Sequence, residues 1–130
     1  MFLDTSGLLC LIHRREPQHQ EAMELFDVAV GKFTHSYVLA EFVALSDVRG
    51  VPRAEALSYV VDIQDSSEVE LVWVTEALHR QAVGFLQTRL DRRYSLCDAV
   101  SFLMMQKRGI TEALTTDHHF EQAGLRALLC

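Results

Sequence analysis

The sequence has no pair of cysteines at redox or metal-ligand spacing. Its three cysteines, Cys10, Cys97 and Cys130, are odd in number and far apart. That pattern fits reduced thiols in a cytosol better than a disulfide framework. No apolar run approaches the roughly 18 residues of a membrane span. No Gly/Ser-rich or long polar stretch is present, and the hydrophobic fraction is 49%, so a disordered chain is not expected. Met1-Phe2-Leu3-Asp4 has no basic start and meets an acid at once, and is therefore not expected to be a signal peptide. A cytoplasmic location, with no membrane partner, is the expectation. There is also no excess of basic residues. Twelve Lys and Arg face eighteen Asp and Glu, for a net charge of -6. A module that tracks nucleic acid by charge alone is usually basic, so that class is disfavoured. A metal nuclease is not, because a carboxylate cluster neutralised by divalent cations presents positive charge to phosphate.

What is present is enough chain for one domain, residues 1–130, with a real core. Short apolar runs alternate with amphipathic stretches. Phe2-Leu3 reads as a first strand. Gly7 to Arg14 reads as a helix capped by Thr5 or Ser6. Pro17 opens a helix to about Val30, and Lys32 to Ser36 is a strand. Tyr37 to Arg49 is an apolar helix ended by Gly50, and Pro52 starts another to about Gln64. Glu68 to Val74 is the clearest strand. Thr75-Glu76 opens a long helix to about Arg92. Asp98 to Arg108 is the next helix, closed by Gly109. Ala113-Leu114-Thr115 is a strand, and Leu125 to Leu129 a last one. This alternation predicts an α/β domain with a mostly parallel sheet. In such sheets the site lies beyond the carboxyl ends of the strands.

Four acids fall in that region. Asp4 follows the first strand and Asp117 the strand ending at Thr115. Asp98 begins the helix before that strand, and Glu41 lies in the helix after the second strand. Three have plain structural explanations: Asp4 as a helix cap, Asp98 as the acid of a Ser95–Asp98 capping box, and Asp117 as an Asx turn. Glu41 is harder to explain away. Its helical neighbours Tyr37, Val38, Ala44 and Leu45 are apolar, and an acid among them calls for pairing or a metal. Mg²⁺ and Mn²⁺ take oxygen ligands. Held by carboxylates, they polarise a phosphodiester and acidify water, with no Ser, His or Cys nucleophile required.

These segments carry a family resemblance. Met1-Phe2-Leu3-Asp4-Thr5-Ser6, Val38-Leu39-Ala40-Glu41-Phe42, Ser95-Leu96-Cys97-Asp98-Ala99-Val100-Ser101-Phe102 and Leu114-Thr115-Thr116-Asp117-His118-His119-Phe120 resemble, in order and spacing, the four acidic motifs of PIN domains. The resemblance spans almost the whole chain, and the small size is most similar to VapC toxins. It implies a PIN-like fold and Mg²⁺- or Mn²⁺-dependent endoribonuclease activity leaving 5′-phosphate and 3′-hydroxyl ends. It implies a metal site at Asp4, Glu41, Asp98 and Asp117, with Thr5 or Ser6 and Thr115 in support. It also implies a homodimer silenced by a cognate antitoxin. Cys97 departs from the threonine more usual there, and a thiol would orient a ligand or cap the helix only weakly.

Arg89, Arg92 and Arg93 precede Asp98. Arg92 and Arg93 are candidates for holding substrate phosphates, set against simple placement of cations at a helix C-terminus. The latter is the plainer reading for Arg89. Arg49 and Arg53 read as solvated surface. His118-His119 lacks further zinc ligands at recognisable spacing, and His119-Phe120 reads as packing. Met104-Met105 and Trp73 read as core or dimer interface. The alternative function is a PIN-like module that binds protein or RNA without cleaving. A DNA nuclease is a closer rival, since the metal chemistry does not choose the sugar. A receiver-like domain would want paired acids after the first strand and a lysine after a late one. Asp4 stands alone and Lys107 is helical.

Overall fold

The computed structural model describes residues 1–130. The strands are β1 (Phe2–Leu3), β2 (Lys32–His35), β3 (Val69–Val72), β4 (Glu112–Leu114) and β5 (Arg126–Ala127). They form one fully parallel sheet in the order β3-β2-β1-β4-β5. The helices are α1 (Thr5–Ile12), α2 (His19–Val28), α3 (Ser36–Val48), α4 (Arg53–Asp65), α5 (Glu76–Gln87), α6 (Leu96–Arg108) and α7 (His119–Gln122). The alternating α/β architecture expected from the sequence is the one found. No helix is long and apolar enough to cross a membrane.

A parallel sheet covered on both faces needs strands that are apolar throughout, especially at its centre. β1 meets this requirement with two residues, Phe2 and Leu3, both fully buried. Phe2 pairs with Phe33 on one side and Ala113 on the other. Its ring packs against Phe33 and Phe120, with centroids 5.3 and 6.1 Å away. β1 therefore anchors the core and delivers Asp4 at its carboxyl end. The strand order reverses direction at β1, between β2 and β4, which opens a crevice above β1 and β4.

Close approach of α1 to β4 tightens that crevice. A Cβ on Gly7 would lie 2.0 Å from the carbonyl oxygen of Leu114. Backbone cannot yield cheaply there, so Gly7→Ala should cost about 2–4 kcal/mol. A fall in the denaturation midpoint at unchanged slope would show it, and a midpoint equal to the parent would contradict it.

Some boundaries differ from expectation. α1 begins at Thr5 with Asp4 at its N-cap, not at Gly7 with Thr5 or Ser6 as cap. α2 begins at His19 because Pro17 lies in a turn (residues 14–18), closed by the bond from the His19 N–H to the Glu16 carbonyl. α5 ends at Gln87 and does not reach Arg92. Thr88 caps it, and the Thr88 hydroxyl donates to the Phe85 carbonyl at 2.7 Å, satisfying one of the carbonyls a helix end leaves open. The last strand is two residues long, and the short α7 precedes it. Met104 and Met105 are core residues, whereas Trp73 is 63% exposed.

Candidate active site

The four acids reach one region from four directions. β1 ends at Asp4, α3 carries Glu41, the first turn of α6 carries Asp98, and the segment after β4 carries Asp117. Asp4 is a buried N-cap residue, yet its side chain makes no cap bond to α1. Its Oδ2 instead accepts a 2.7 Å hydrogen bond from the Thr115 hydroxyl. Thr115 Oγ1 also accepts the Asp117 N–H at 3.0 Å. With its proton on Asp4, it takes a third bond from Ser6 Oγ at 3.1 Å, and Ser6 in turn accepts the Thr116 N–H at 2.9 Å. Thr115 and Ser6 thus lock the end of β4 to the start of α1. Thr5, buried at the head of α1, donates from Oγ1 to Glu41 Oε1 at 3.2 Å.

The plain explanations for Asp98 and Asp117 are also true of the molecule. Ser95 and Asp98 form a complete capping box, with the Ser95 N–H on Asp98 Oδ2 at 3.0 Å and the Asp98 N–H on Ser95 Oγ at 2.9 Å. Asp117 Oδ1 accepts the His119 N–H at 2.9 Å, an Asx turn. Each of the four acids has a carboxylate oxygen in at least one such bond, and an ionised carboxylate has about four lone-pair sites, more than these bonds use. Capping and metal binding are therefore compatible at these positions.

His119 is the residue that sequence reasoning missed. Its expected role was packing beside Phe120. Its Nδ1 instead lies 3.0 Å from Asp98 Oδ2 and 3.6 Å from Asp117 Oδ1. Asp98, Asp117 and His119 bring ligand atoms within 4.8 Å of one another. Tyr94 braces the ring edge-on, centroids 5.5 Å apart. Two histidines in a row carried no periodic signal to mark the second one.

Glu41 also differs from its prediction. It is exposed, and Ala44 beside it is exposed too, so it stands on a rim and not in an apolar patch. The Cys97 thiol lies beside it and favours its charged form. That thiol is itself held protonated, chiefly by burial and then by the negative charge of Glu41.

The electrostatics are those of crowded carboxylates. Burial, with a contribution from Asp98 and Asp117, pushes Asp4 up to about 7. Partial desolvation of the Glu41 carboxyl, on the inner side of an otherwise exposed residue, raises it; burial raises Asp98, and the negative charge of Asp117 adds to both. The arginine ion pairs go elsewhere, to Glu16, Glu76, Asp91, Glu70 and Glu112. Oxygen donors gathered without a lysine or arginine partner suit a hard divalent cation. Arg92 and Arg93 are exposed in the segment between α5 and α6. Neither is ion-paired with the four acids; Arg92 Nε stands 3.9 Å from Asp91.

Behind the site a buried relay ties α3 to α6. The fully buried His35 accepts the Val38 N–H on Nδ1 at 3.3 Å, so its Nε2–H donates to Ser101 Oγ at 2.9 Å. Ser101 passes its own proton to the Cys97 carbonyl at 2.8 Å. Burial lowers His35 to about 3, which keeps the imidazole neutral and the relay intact.

Residues 1–125 match the family model of the PIN domain. The chain belongs to the PIN-domain family. It is 32% identical over 125 residues to the 23S rRNA-specific endonuclease VapC20 of Mycobacterium tuberculosis, covering 95% of this chain and 94% of that protein. The crystal structure of that sarcin-ricin loop cleaving toxin superposes with a TM-score of 0.86 at 31% identity, over 95% of each chain. FitAcB from Neisseria gonorrhoeae shares the PIN fold, with a TM-score of 0.60 at 13% identity over 97% of this chain and 94% of that one.

Proposed function

We propose that this PIN-domain protein is a metal-dependent endoribonuclease and the toxin of a type II toxin–antitoxin pair. The observation that carries the reading is the gathering of Asp98 and Asp117, with His119, within 4.8 Å, with Asp4 and Glu41 near enough to feel their charge and no lysine or arginine partner; burial first, and this crowding second, raises Asp4, Glu41 and Asp98. Similarity to VapC20 over almost the whole chain supports RNA as substrate, and ribosomal RNA is the first candidate.

In this reading the four acids hold Mg²⁺ or Mn²⁺, which supplies the positive charge and the acidified water that phosphodiester hydrolysis needs. The chain's own work is positioning. Thr115 and Thr5 orient Asp4 and Glu41, the Ser95 N–H and His119 fix Asp98, and the turn at Asp117 fixes its carboxylate. Water attacks phosphorus in line, the bond to the 3′ oxygen breaks, and that oxygen takes a proton. The products carry 5′-phosphate and 3′-hydroxyl ends. A cognate antitoxin silences the enzyme, and a second copy completes a homodimer, both by similarity to the toxin family.

Incubation of ribosomes with the purified chain and Mg²⁺, followed by primer extension along 23S rRNA, tests the substrate. A discrete stop absent from an Asp98→Asn control is expected. Intact 23S rRNA alongside cleavage of another RNA would reassign the target, and no cleavage of any RNA would remove the reading. His119 adds a finer prediction. As a residue that orients a metal-binding carboxylate, its replacement by Ala should weaken Mn²⁺ binding about 10–100-fold. Calorimetric titration would measure it, and unchanged affinity would return His119 to a packing role.

A further inference from the structure

A cavity of about 660 Å³ runs along the flank of α6, bounded by the segment after α5, the residues leading into β4 and the end of α7. Its size is in the range of about 300–1,000 Å³ of small-ligand sites. The floor is apolar, with Phe102 and Met105 from the core. Arg89 and Arg92 stand on its rim. None of the four acids lines it; Tyr94 forms the wall between the two, lining the cavity and packing edge-on against His119, the residue bonded to Asp98.

Arg89 is the informative residue. It follows the C-cap Thr88 directly, where a cation complements the open helical carbonyls, and it does more than that. Its guanidinium carbon sits 4.7 Å from the centroid of Phe85, and its Nη1 donates to Thr88 Oγ1 at 2.8 Å. The guanidinium is thus held against an aromatic ring while the residue as a whole is exposed. Guanidinium planes and aromatic rings are the platforms on which unpaired RNA bases stack. Gln106 and Gln122 on the walls are exposed amides able to meet a base edge as donor and acceptor. Asp91 also lines the rim, 3.9 Å from Arg92, so the two arginines leave one net positive charge there to meet a polyanion.

We infer that this cavity receives an unpaired nucleotide of the RNA substrate, its base stacked on Arg89 over Phe85 and its phosphate toward Arg92. The inference rests on the ribonuclease reading and extends it: the preferred substrate exposes an unstacked base on the strand that runs past Tyr94 to the acids. RNA with every base paired fits the acids but leaves this cavity empty.

The test is binding of a fluorescent RNA hairpin with an unpaired loop to the Asp98→Asn chain in Mg²⁺, in which cleavage does not intrude. Arg89→Ala should weaken binding roughly tenfold, the value of one base–platform stack. Arg89→Lys keeps the charge and loses the plane, so it should fall nearly as far. One loop position replaced by an abasic nucleotide should give the same loss, and none beyond it in Arg89→Ala, as expected for coupled partners. Full rescue by Arg89→Lys would mean a phosphate contact only and would overturn the base pocket. Equal binding by all variants, with the parent chain still cleaving RNA, would overturn this inference and leave the nuclease reading standing. A parent chain that neither binds nor cuts RNA would end both.

Discussion

Asp98→Asn should lose RNA cleavage by on the order of 10³-fold or more while the metal-free chain becomes no less stable. The two halves of that expectation have one cause. Asp98 is buried at 7% exposure among like charges, and its carboxyl is pushed up mainly by burial and further by Asp117. Asparagine removes the charge that the cation needs and, with it, the repulsion that the apo chain endures. It also keeps an amide oxygen that can accept the Ser95 N–H, so the capping box of α6 survives. Parallel measurement of cleavage rate and melting temperature separates this from simple unfolding. A variant that melts far below the parent would mean that Asp98 acts chiefly as a cap. A variant that cleaves at the parent rate would remove it from the chemistry.

The second large effect is on pH and metal together. Asp4 is held at about 7 in the folded chain, raised from its ordinary 3.8. Between those values the folded state binds more protons than the unfolded state, so stability falls as pH rises. The protonated Asp4 contributes fully below the unfolded value, and the contribution is lost as pH climbs through about 7. The size is on the order of 2–4 kcal/mol, or about 10 °C in melting temperature for a chain of this length. Cations bind the ionised form, so stabilisation by Mn²⁺ should grow over the same interval. Asp4→Asn should flatten the metal-free profile and abolish most of the metal effect. Melting curves from pH 4 to 8, with Mn²⁺ and with chelator, would show it. A metal-free chain whose stability rises from pH 5 to 7, unchanged by Asp4→Asn, would contradict this account of the site.

These predictions depend on features that were unequally legible in the sequence. The sheet was readable because its strands are short apolar runs ended by polar residues, as Phe2-Leu3 before Asp4 shows. Asp4, Asp98 and Asp117 were readable as candidates because they follow strands or open a helix, the region where α/β folds commonly bind ligands. The reason given for Glu41 was weaker than its placement. A helical neighbourhood in sequence says which side chains are adjacent, not which face meets solvent, and Glu41 is on the rim. The end of α5 was misread because Leu90, Arg92 and Arg93 are good helix formers. The stop came from the Thr88 hydroxyl turning back on Phe85, a side-chain bond with weak local signature. Gly7 carried no signal at all, since its need for space is set by the Leu114 carbonyl more than a hundred residues away in sequence. The same holds for His119, whose partner Asp98 lies on a different helix, and for the His35–Ser101 relay.

The measurement that bears most directly on the central claim is cleavage of a mixed pool of structured RNAs by the purified chain, with Mg²⁺, with Mn²⁺ and with excess chelator, beside Asp98→Asn prepared identically. The account predicts discrete cuts with 5′-phosphate ends that need the metal and vanish in the variant. An intact pool, with no metal-induced rise in melting temperature, would contradict it and leave a PIN-domain protein that binds without cleaving.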